Sequence, residues 1–399
     1  MISTFGDVFE VDPKIKIAKN SDVPFVEMAD IEPWARTVGS KGTKKFAAGS
    51  KFLDGDVLVA RITPSLENGK TSIYRASQSE KATPASGSTE FIVVRGIEGK
   101  SLSEFAYYLL RTTDLRSHLI ANMNGSSGRQ RVQSDALRNY VVDLPSIEEQ
   151  RRIAGVLGAL DDKIESNLRT ISLSESLILA HFSSLFNSGH VSAGTALSDL
   201  MDVNPRYSLK RESLAIKVSM QDIPSDFPVI NTHAVMPVGA GSRFSNGDVL
   251  FARISPCLEN GKTAIVDFLS SSEVGFGSTE FIVLSPRGEI STTWIYALAR
   301  DPNFREACRQ AMSGSSGRQR LSADFFSRYT IATPKEFDLA AFNKATMPLL
   351  TLMGARRDEN QRLAQLRDAL LPELMSGRMR VDKAGCLVSE ARDEEVADV

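Results

Sequence analysis

The amino-acid sequence predicts an α+β protein in which two similar β-rich modules are separated by two long helices that pair with each other, with pseudo-twofold symmetry. Three observations predict this fold class. The 399-residue chain repeats itself once. Each copy contains short apolar, β-branched runs between glycines and prolines, which are typical of strands and turns. Each copy is followed by a stretch with apolar residues three or four apart, the spacing of an amphipathic helix.

The repeat consists of ordered blocks whose offset drifts slowly along the chain, from 192 residues to 189. This period is far above the roughly 20–50 residues of solenoid repeats, so the sequence indicates duplication of a whole module. The matching blocks are Gly55–Leu58 with Gly247–Leu250, Leu66–Thr71 with Leu258–Thr263, Gly87–Val93 with Gly277–Val283, and Gly125–Arg131 with Gly314–Arg320.

The two modules are predicted over residues 1–146 and 196–336, with the same internal order. In the first, strands are expected around Val57–Ile62 and Phe91–Val93, and a helical stretch from Leu102 to about Met123. A glycine-serine loop with the letters Arg-Gln-Arg follows, and then a short strand that ends at Pro145.

The helices are predicted over residues 147–187 and 337–381. Ser146, followed by Glu148 and Glu149, is typical of a helix N-terminus. Residues 188–195 are expected to form a linker between the copies, and the charged residues 382–399 a disordered tail.

An apolar stripe along a long helix needs a partner, so we expect the two helices to pack on each other. The alternative, in which each helix packs only on its own module, remains open at this point. The predicted seam contains Ile153, Leu157, Leu160, Ile164 and Leu168 of the first helix and Leu349, Met353, Leu363, Leu366 and Leu370 of the second.

Composition excludes several classes of protein. The chain has 47 basic and 49 acidic residues, a net charge of -2, whereas a protein that holds DNA by bulk charge alone would be more basic. Three cysteines form no paired motif, which favours a reducing cytoplasm over a disulfide scaffold or a cysteine zinc site. We expect no membrane segment, because no apolar run approaches the roughly 18 residues that a bilayer requires, and no signal peptide.

The search for chemistry-bearing motifs finds no defensible catalytic site. Asn68–Thr71 ends like a phosphate-binding loop, but Pro64 stands where that loop needs glycine. Asn204–Tyr207 weakly resembles an adenine methyltransferase motif, although a turn is the favoured interpretation. Asp161–Lys163 is best interpreted as a solvated helix face, and the four histidines lack ligand spacing. We therefore predict no catalytic residue, no metal and no cofactor bound by this chain.

Several runs together resemble the specificity subunits of type I restriction-modification systems. Gly125–Leu137, Leu144–Ala154 and Leu157–Ile164 resemble the end of a target recognition domain and the start of its spacer helix, and Leu366–Gly377 resembles the end of the second spacer. The resemblance covers nearly the whole chain to about residue 381. The second copy departs from it at Phe337–Phe342, where the Ile-Glu-Glu-Gln run is replaced.

The resemblance implies that the modules are target recognition domains that read the two halves of a split site in double-stranded DNA. It also implies that the helices pair as an antiparallel coiled coil and hold two modification subunits, which bind S-adenosylmethionine and methylate adenine. Restriction subunits that use ATP and Mg would join them. This chain would then be non-catalytic by itself. One alternative is a duplicated scaffold that binds protein partners without DNA specificity, and another, which the failed motifs disfavour, is an enzyme that acts alone.

The duplication separates two classes of DNA contact. A residue that reads bases should differ between copies if the half-sites differ, whereas an identical residue holds the fold or contacts phosphate, which carries no sequence information. The identical basic pairs are therefore candidates for phosphate contact or for ordering the loop; the alternative left open is that the arginines pair with Glu67, Glu90, Glu259 or Glu280. These pairs are Arg61 with Arg253, Lys70 with Lys262, Arg129 with Arg318, and Arg131 with Arg320.

Base readers are expected where the copies diverge, since arginine and lysine pair with guanine, and asparagine and glutamine with adenine. These regions are 34–51 against 231–243 and 74–85 against 266–276. A solvated loop charge remains the alternative at each position. The candidates are Arg36, Lys41, Lys44, Lys45, Arg75, His233 and Arg243.

Overall fold

The structure, a computed structural model, describes residues 2–225, 227–231, 233–315 and 317–385. It divides into two compact units, residues 1–162 with 363–399 and residues 163–362. The division falls inside both long helices, so each unit contains one module with one part of each helix. The disordered tail was predicted over residues 382–399. Residues 382–385 are helical, which corrects that part of the prediction, and the residues from 386 onward lie outside the described residues.

The first module is built from three sheets with strand orders β2-β10-β7-β8-β4, β5-β3-β9-β6 and β1-β11. Its strands are β1 (Ile2–Thr4), β2 (Phe9–Val11), β3 (Asp22–Val26), β4 (Thr37–Val38), β5 (Thr43–Lys45), β6 (Ser50–Phe52), β7 (Val57–Ala60), β8 (Thr71–Tyr74), β9 (Ala85–Gly87), β10 (Phe91–Gly96) and β11 (Val141–Asp143). Its helices are α1 (Phe5–Val8), α2 (Ser103–Arg111), α3 (Thr113–Ala121) and α4 (Ser134–Arg138).

The core of this module lies at the central strands of its larger sheet. All four residues of β7 are buried, which explains why they form a continuous apolar run instead of an alternating one. One face packs with Val26, Phe52 and Phe91, and α2 lies against the sheet. The predicted strands around residues 57–62 and 91–93 are therefore confirmed as the antiparallel pair β7 and β10.

The second module repeats this plan with strand orders β13-β20-β17-β18, β15-β14-β19-β16 and β12-β21. Leu58 pairs with Val93 in the first module, and Leu250 pairs with Val283 in the second, so the register is the same. The strands are β12 (Thr195–Ala196), β13 (Asp202–Val203), β14 (Leu214–Val218), β15 (Ala234–Pro237), β16 (Arg243–Ser245), β17 (Val249–Ala252), β18 (Thr263–Ile265), β19 (Val274–Gly277), β20 (Phe281–Ser285) and β21 (Thr330–Ile331), and the short helices are α6 (Leu197–Leu200), α7 (Thr292–Arg300), α8 (Pro302–Gln310) and α9 (Phe325–Arg328).

Two long helices, α5 (Ile147–Leu185) and α10 (Glu336–Met375), pack together as predicted. Within the second unit, the Asn167 amide of α5 donates to Oδ1 of Asn360 over 2.9 Å, and the rings of Phe182 and Phe342 lie 6.2 Å apart. Residue numbers rise along one helix as they fall along the other, so the pair is antiparallel. Each helix also packs on a module, because Ile178, Phe182 and Phe342 share a core with Trp294 of α7.

The predicted seam is mostly, but not wholly, buried. The buried members are Ile153, Leu157, Leu160, Met353, Leu363 and Leu370, and the partly buried ones are Ile164, Leu349 and Leu366. Leu168 is a correction: it lies on an exposed face, and the buried position beside it is Asn167. An apolar pattern alone places Leu168 in the seam, because the sequence does not reveal that polar groups of α10 meet α5 here.

A second correction concerns Asp161, expected on a solvated helix face. Its carboxylate is buried in the first unit, where it accepts a hydrogen bond from the Tyr108 hydroxyl over 2.8 Å and pairs with Arg367 of α10 over 2.7 Å. Lys163 in the second unit similarly lies 2.9 Å from the buried Glu359. A buried carboxylate requires such partners, since desolvation of an unpaired charge costs several kcal/mol or more.

Candidate nucleic-acid interface

The duplicated glycine-serine segment forms a closed, exposed loop in the first module. We name residues 124–131 arginine loop 1. Asn124 and Arg131 exchange two main-chain hydrogen bonds of 2.9 Å, which close the loop at its base. Gly125 and Gly128 have φ angles of +128° and +77°, which other residues adopt only with strain. The tip, including Arg129, is exposed.

The base of arginine loop 1 is fixed to the β-sheet core by a charged side-chain pair. The Arg131 guanidinium donates from Nε and Nη2 to the Glu90 carboxylate over 2.9 and 2.7 Å. The Thr63 amide donates to the Gln130 carbonyl oxygen over 3.0 Å. The bidentate geometry sets the orientation of both groups, so the loop leaves the sheet in a defined direction.

Residues 313–315 and 317–320, which we name arginine loop 2, repeat the hydrogen bonds of the loop base in the second module. Ser313 and Arg320 close the loop through main-chain hydrogen bonds, and Arg320 donates to Glu280 over 2.8 to 3.0 Å. The hydrogen bond from Arg320 lowers the pKa of Glu280, because it stabilises the charged carboxylate. The alternative that Arg131 and Arg320 pair with internal carboxylates is therefore the correct one.

Arg129 and Arg318 differ from Arg131 and Arg320 in the contacts that their side chains make. Both are exposed, and in the described part of the chain neither side chain has a hydrogen-bonding or ion-pair partner. An exposed arginine whose donors are free of internal partners is suited to a phosphate, which accepts several charge-assisted hydrogen bonds. These two residues are the strongest phosphate candidates among the identical pairs.

The remaining identical pairs make internal contacts in most cases. Lys70 donates to the Met28 carbonyl oxygen over 3.0 Å, and Lys262 donates to the corresponding Met220 oxygen over 2.8 Å. Arg61 donates to the Val132 oxygen, next to arginine loop 1, over 3.1 Å. These side chains order the loops and turns around them, which is the second of the two roles expected from their identity.

A positively charged groove of about 440 Å³ lies beside this part of the first module. Lys14, Lys51 and Arg61 line it, together with Asp12. The sequence analysis did not single out Lys14, although a signal was present: Arg206 occupies the equivalent position of the second copy, so this site is basic in both. Both side chains are exposed.

A turn precedes both Lys14 and Arg206, and it explains the Asn204–Tyr207 run, which weakly resembles an adenine methyltransferase motif. The side chain of Asp12 accepts from the Val93 amide over 3.0 Å, and Asn204 accepts from the Val283 amide over the same distance. Both residues have positive φ angles, +55° and +51°. The Asn204–Tyr207 run is thus a turn tied to strand β20, as the sequence favoured.

The base-reading candidates fall into two groups. Lys41, Lys44 and Lys45 lie on or beside edge strand β5 and are exposed. Lys41 lies 3.2 Å from Asp30, and Lys44 pairs with Glu27. Because these ion pairs are exposed, they cost little to exchange for a phosphate or a base.

The other candidates are engaged within the protein. The Arg75 guanidinium lies 3.3 Å from the Glu104 carboxylate, and the Arg243 guanidinium donates to the main-chain carbonyl oxygen of Tyr207 over 2.9 Å. The His233 ring stacks on the Phe268 ring with their centroids 4.7 Å apart. Arg36 is a correction, because its side chain is only 14% exposed, donates to the Gly158 oxygen and pairs with Asp162 of α5. Arg36 therefore holds its module to the helix and does not present its guanidinium to a base.

No cluster of three or more His, Cys, Asp or Glu side chains suited to a metal occurs among the described residues. In the same part of the chain, no helix is long and apolar enough to cross a membrane.

Comparison with known proteins finds similarity to the specificity subunits of type I restriction-modification systems. Residues 1–172 match the family model described as the type I restriction modification DNA specificity domain. The chain is 28% identical over 162 residues to the EcoEI specificity subunit of Escherichia coli, a match that covers 39% of this chain and only 27% of that protein. It is 22% identical to the MjaIX specificity subunit of Methanocaldococcus jannaschii, with 93% of this chain and 90% of that protein covered.

A solved structure shares the fold. The S subunit of a type I restriction-modification system from M. genitalium superposes with a TM-score of 0.52 and 15% sequence identity, covering 94% of this chain and 95% of that one. The comparisons confirm the resemblance to specificity subunits that the sequence motifs indicate.

Proposed function

We propose that this chain, a relative of the specificity subunits of type I restriction-modification systems, binds double-stranded DNA and reads a bipartite target, one half-site per module. The observation that carries the proposal is the pair of arginine loops. Each loop is closed at its base by an arginine–glutamate pair and carries an exposed arginine that has no internal partner among the described residues. Two such cationic loops on duplicated modules are suited to the two backbones of a nearly two-fold symmetric duplex.

The differences between the modules support unlike half-sites. The outer edge strand β5 carries Lys44 and Lys45, whereas the equivalent strand β15 carries Met236 and Pro237. Lysine contacts phosphates and guanine, while apolar side chains contact the thymine methyl group. An asymmetric recognition sequence follows from modules that present such different groups.

The helix pair would hold the other subunits of the complex. Leu173 and Leu177, one turn apart on α5, are 66% and 51% exposed, so this face has apolar area for a partner to cover. Two modification subunits would bind S-adenosylmethionine and methylate adenine, and restriction subunits would use ATP and Mg to act on the DNA. This chain would supply specificity and perform no catalysis by itself.

The decisive experiment is co-expression of this chain with a modification subunit, followed by sequencing of methylated adenines in the host genome. A split, asymmetric methylated motif that appears only when both chains are present is the expected result. Methylation without such a motif, or binding of the partner without methylation, would instead favour a duplicated protein-interaction scaffold. Methyl transfer by the purified chain alone would favour an independent enzyme.

A further inference from the structure

Arg61 and Arg253 are equivalent in the repeat and lie in the same main-chain setting. The Arg61 main-chain amide donates to the main-chain carbonyl oxygen of Glu90 over 2.9 Å, and the Arg253 amide donates to the main-chain carbonyl oxygen of Glu280 over 3.0 Å. Each arginine carbonyl oxygen also accepts from the segment that follows the arginine loop, at distances of 2.9 and 2.8 Å. The backbone therefore presents both side chains from the same place in the two modules.

The two side chains nevertheless have different partners. The Arg61 guanidinium donates to the Val132 oxygen over 3.1 Å and to Oε1 of Gln133 over 2.7 Å. The second module has Ser322 at the position of Gln133, and a serine is too short to replace the glutamine carbonyl. Within the described residues, Nε of Arg253 is buried and has no hydrogen-bonding partner.

The charge around Arg253 is also unbalanced. Glu280 lies near enough for Arg253 to lower its pKa, but Arg320 already donates to both oxygens of that carboxylate. The three groups together carry a net charge of +1. Arg61, Arg131 and Glu90 of the first module carry the same net charge of +1, so the modules differ in the acceptor: Oε1 of Gln133 accepts a hydrogen bond from the Arg61 guanidinium.

We infer that Arg253 contacts a DNA phosphate in the second half-site, whereas Arg61 has become a residue that orders arginine loop 1. This inference rests on the proposed function and divides one duplicated pair into two roles. A phosphate is the ligand that fits, because it supplies the negative charge and the several acceptors that this guanidinium lacks. The same contact in the first module would require Arg61 to release Gln133.

The test compares Arg253→Ala with Arg61→Ala in the assembled complex with modification subunits. Affinity for a random-sequence duplex is measured over a range of salt concentrations. For Arg253→Ala we expect affinity to fall about tenfold at low salt, and the slope of log affinity against log salt to shrink by about one unit. For Arg61→Ala we expect the slope to be retained and the melting temperature to fall, since the loop loses its hydrogen bonds.

A second variant keeps the arginine and changes only its surroundings. Ser322→Gln gives Arg253 the acceptor that Arg61 already has, so we expect it to reduce the salt slope while the net charge of the chain stays the same. This variant also answers the objection that Arg253→Ala only disturbs folding, because the melting temperature should not fall.

Two results would overturn the inference. One is a salt slope that is unchanged in both Arg253→Ala and Ser322→Gln; the other is a changed methylated motif in Arg253→Ala, which would make the residue a base reader. Failure of the proposed function itself is distinguishable, because the wild-type complex would then bind neither the random duplex nor a target.

Discussion

The two modules hold their arginine loops in the same way and display different chemistry at the outer edges of their sheets. Arg131 with Glu90 and Arg320 with Glu280 make the same bidentate pair. Edge strand β5 presents lysines, whereas β15 presents Val235, which is 64% exposed. Identity between the copies therefore marks the shared framework, and divergence at exposed positions changes the charge that each sheet edge presents.

The modules also meet their helices through related contacts made by different residues. In the first unit, Tyr108 donates to the helix carboxylate Asp161, which Arg367 neutralises. In the second unit, Tyr296 donates to Glu175, and Arg300 lies 3.4 Å from the same carboxylate. Both tyrosine hydroxyls have a raised pKa, chiefly because of burial, so they remain donors at neutral pH.

The largest expected effect comes from breaking these buried contacts. Asp161→Ala leaves the Arg367 charge and the Tyr108 hydroxyl without their partner, and we expect it to lower the free energy of unfolding by about 3–5 kcal/mol. Glu175→Ala should lower the free energy of unfolding by a similar amount if the second unit depends on its buried contacts with Tyr296 and Arg300 as the first depends on those of Asp161. Denaturant unfolding measures both, with Glu148→Ala, an exposed carboxylate on α5 that pairs only with Arg151 of the same helix, as the matched control. An Asp161→Ala loss no larger than that of the control would break the comparison.

The arginine loops give the next largest effect. Arg129→Ala and Arg318→Ala should each weaken DNA binding by the assembled complex about equally for all sequences, and each should reduce the salt slope by about one unit. Titration of random and target duplexes measures this, with the exposed helix residue Arg151→Ala as control. If either variant changes the recognised sequence, the loops read bases and the shared-framework interpretation is wrong.

The edge strands test the divergent side of the comparison. Lys44→Ala with Lys45→Ala should weaken binding, with a salt slope reduced by about one unit for each lysine that contacts phosphate. The reciprocal change, Met236→Lys with Pro237→Lys, should strengthen binding to random DNA if β15 faces the duplex. Unchanged affinity and slope in both double variants would remove these strands from the interface.

The smallest expected effect is a pH dependence in arginine loop 2. Arg320 lowers the pKa of Glu280 below its ordinary value of 4.5, so the stabilisation is present above that pH and is lost as pH falls through the lowered pKa. The difference in melting temperature between wild type and Glu280→Gln should therefore be constant above about pH 5 and shrink in more acidic solution. A difference that grows with acidity would contradict the assignment.

Much of the fold follows from the sequence because its signals are local or repeated. The helix spacing predicted 147–187 and 337–381, and the structure has α5 at Ile147–Leu185 and α10 at Glu336–Met375. The second helix ends at Met375, before the predicted residue 381; it continues through Pro372, and Gly377, with φ of +71°, follows its end. The domain boundaries themselves remain predictions.

The sequence predicted the roles of individual charged residues less well than it predicted the fold, because the partners of these residues are distant in the chain. Arg36 meets Asp162, and Asp161 meets Arg367, across 126 and 206 positions. The repeat did contain one usable signal, since Glu90 and Glu280 are identical as well as Arg131 and Arg320. Glu67 and Glu259 are identical too, however, so only the structure assigns Glu90 to Arg131 and Glu280 to Arg320.

The position of β15 at the end of its sheet has a practical consequence for handling the isolated chain. All four of its residues are exposed, and it pairs with β14 on one side only. Lysines and prolines discourage strand addition at such an edge; β5 carries two lysines, whereas β15 carries only Pro237. We expect preparations without other subunits to self-associate through this strand as concentration rises, and lysine at Val235 to keep them dispersed.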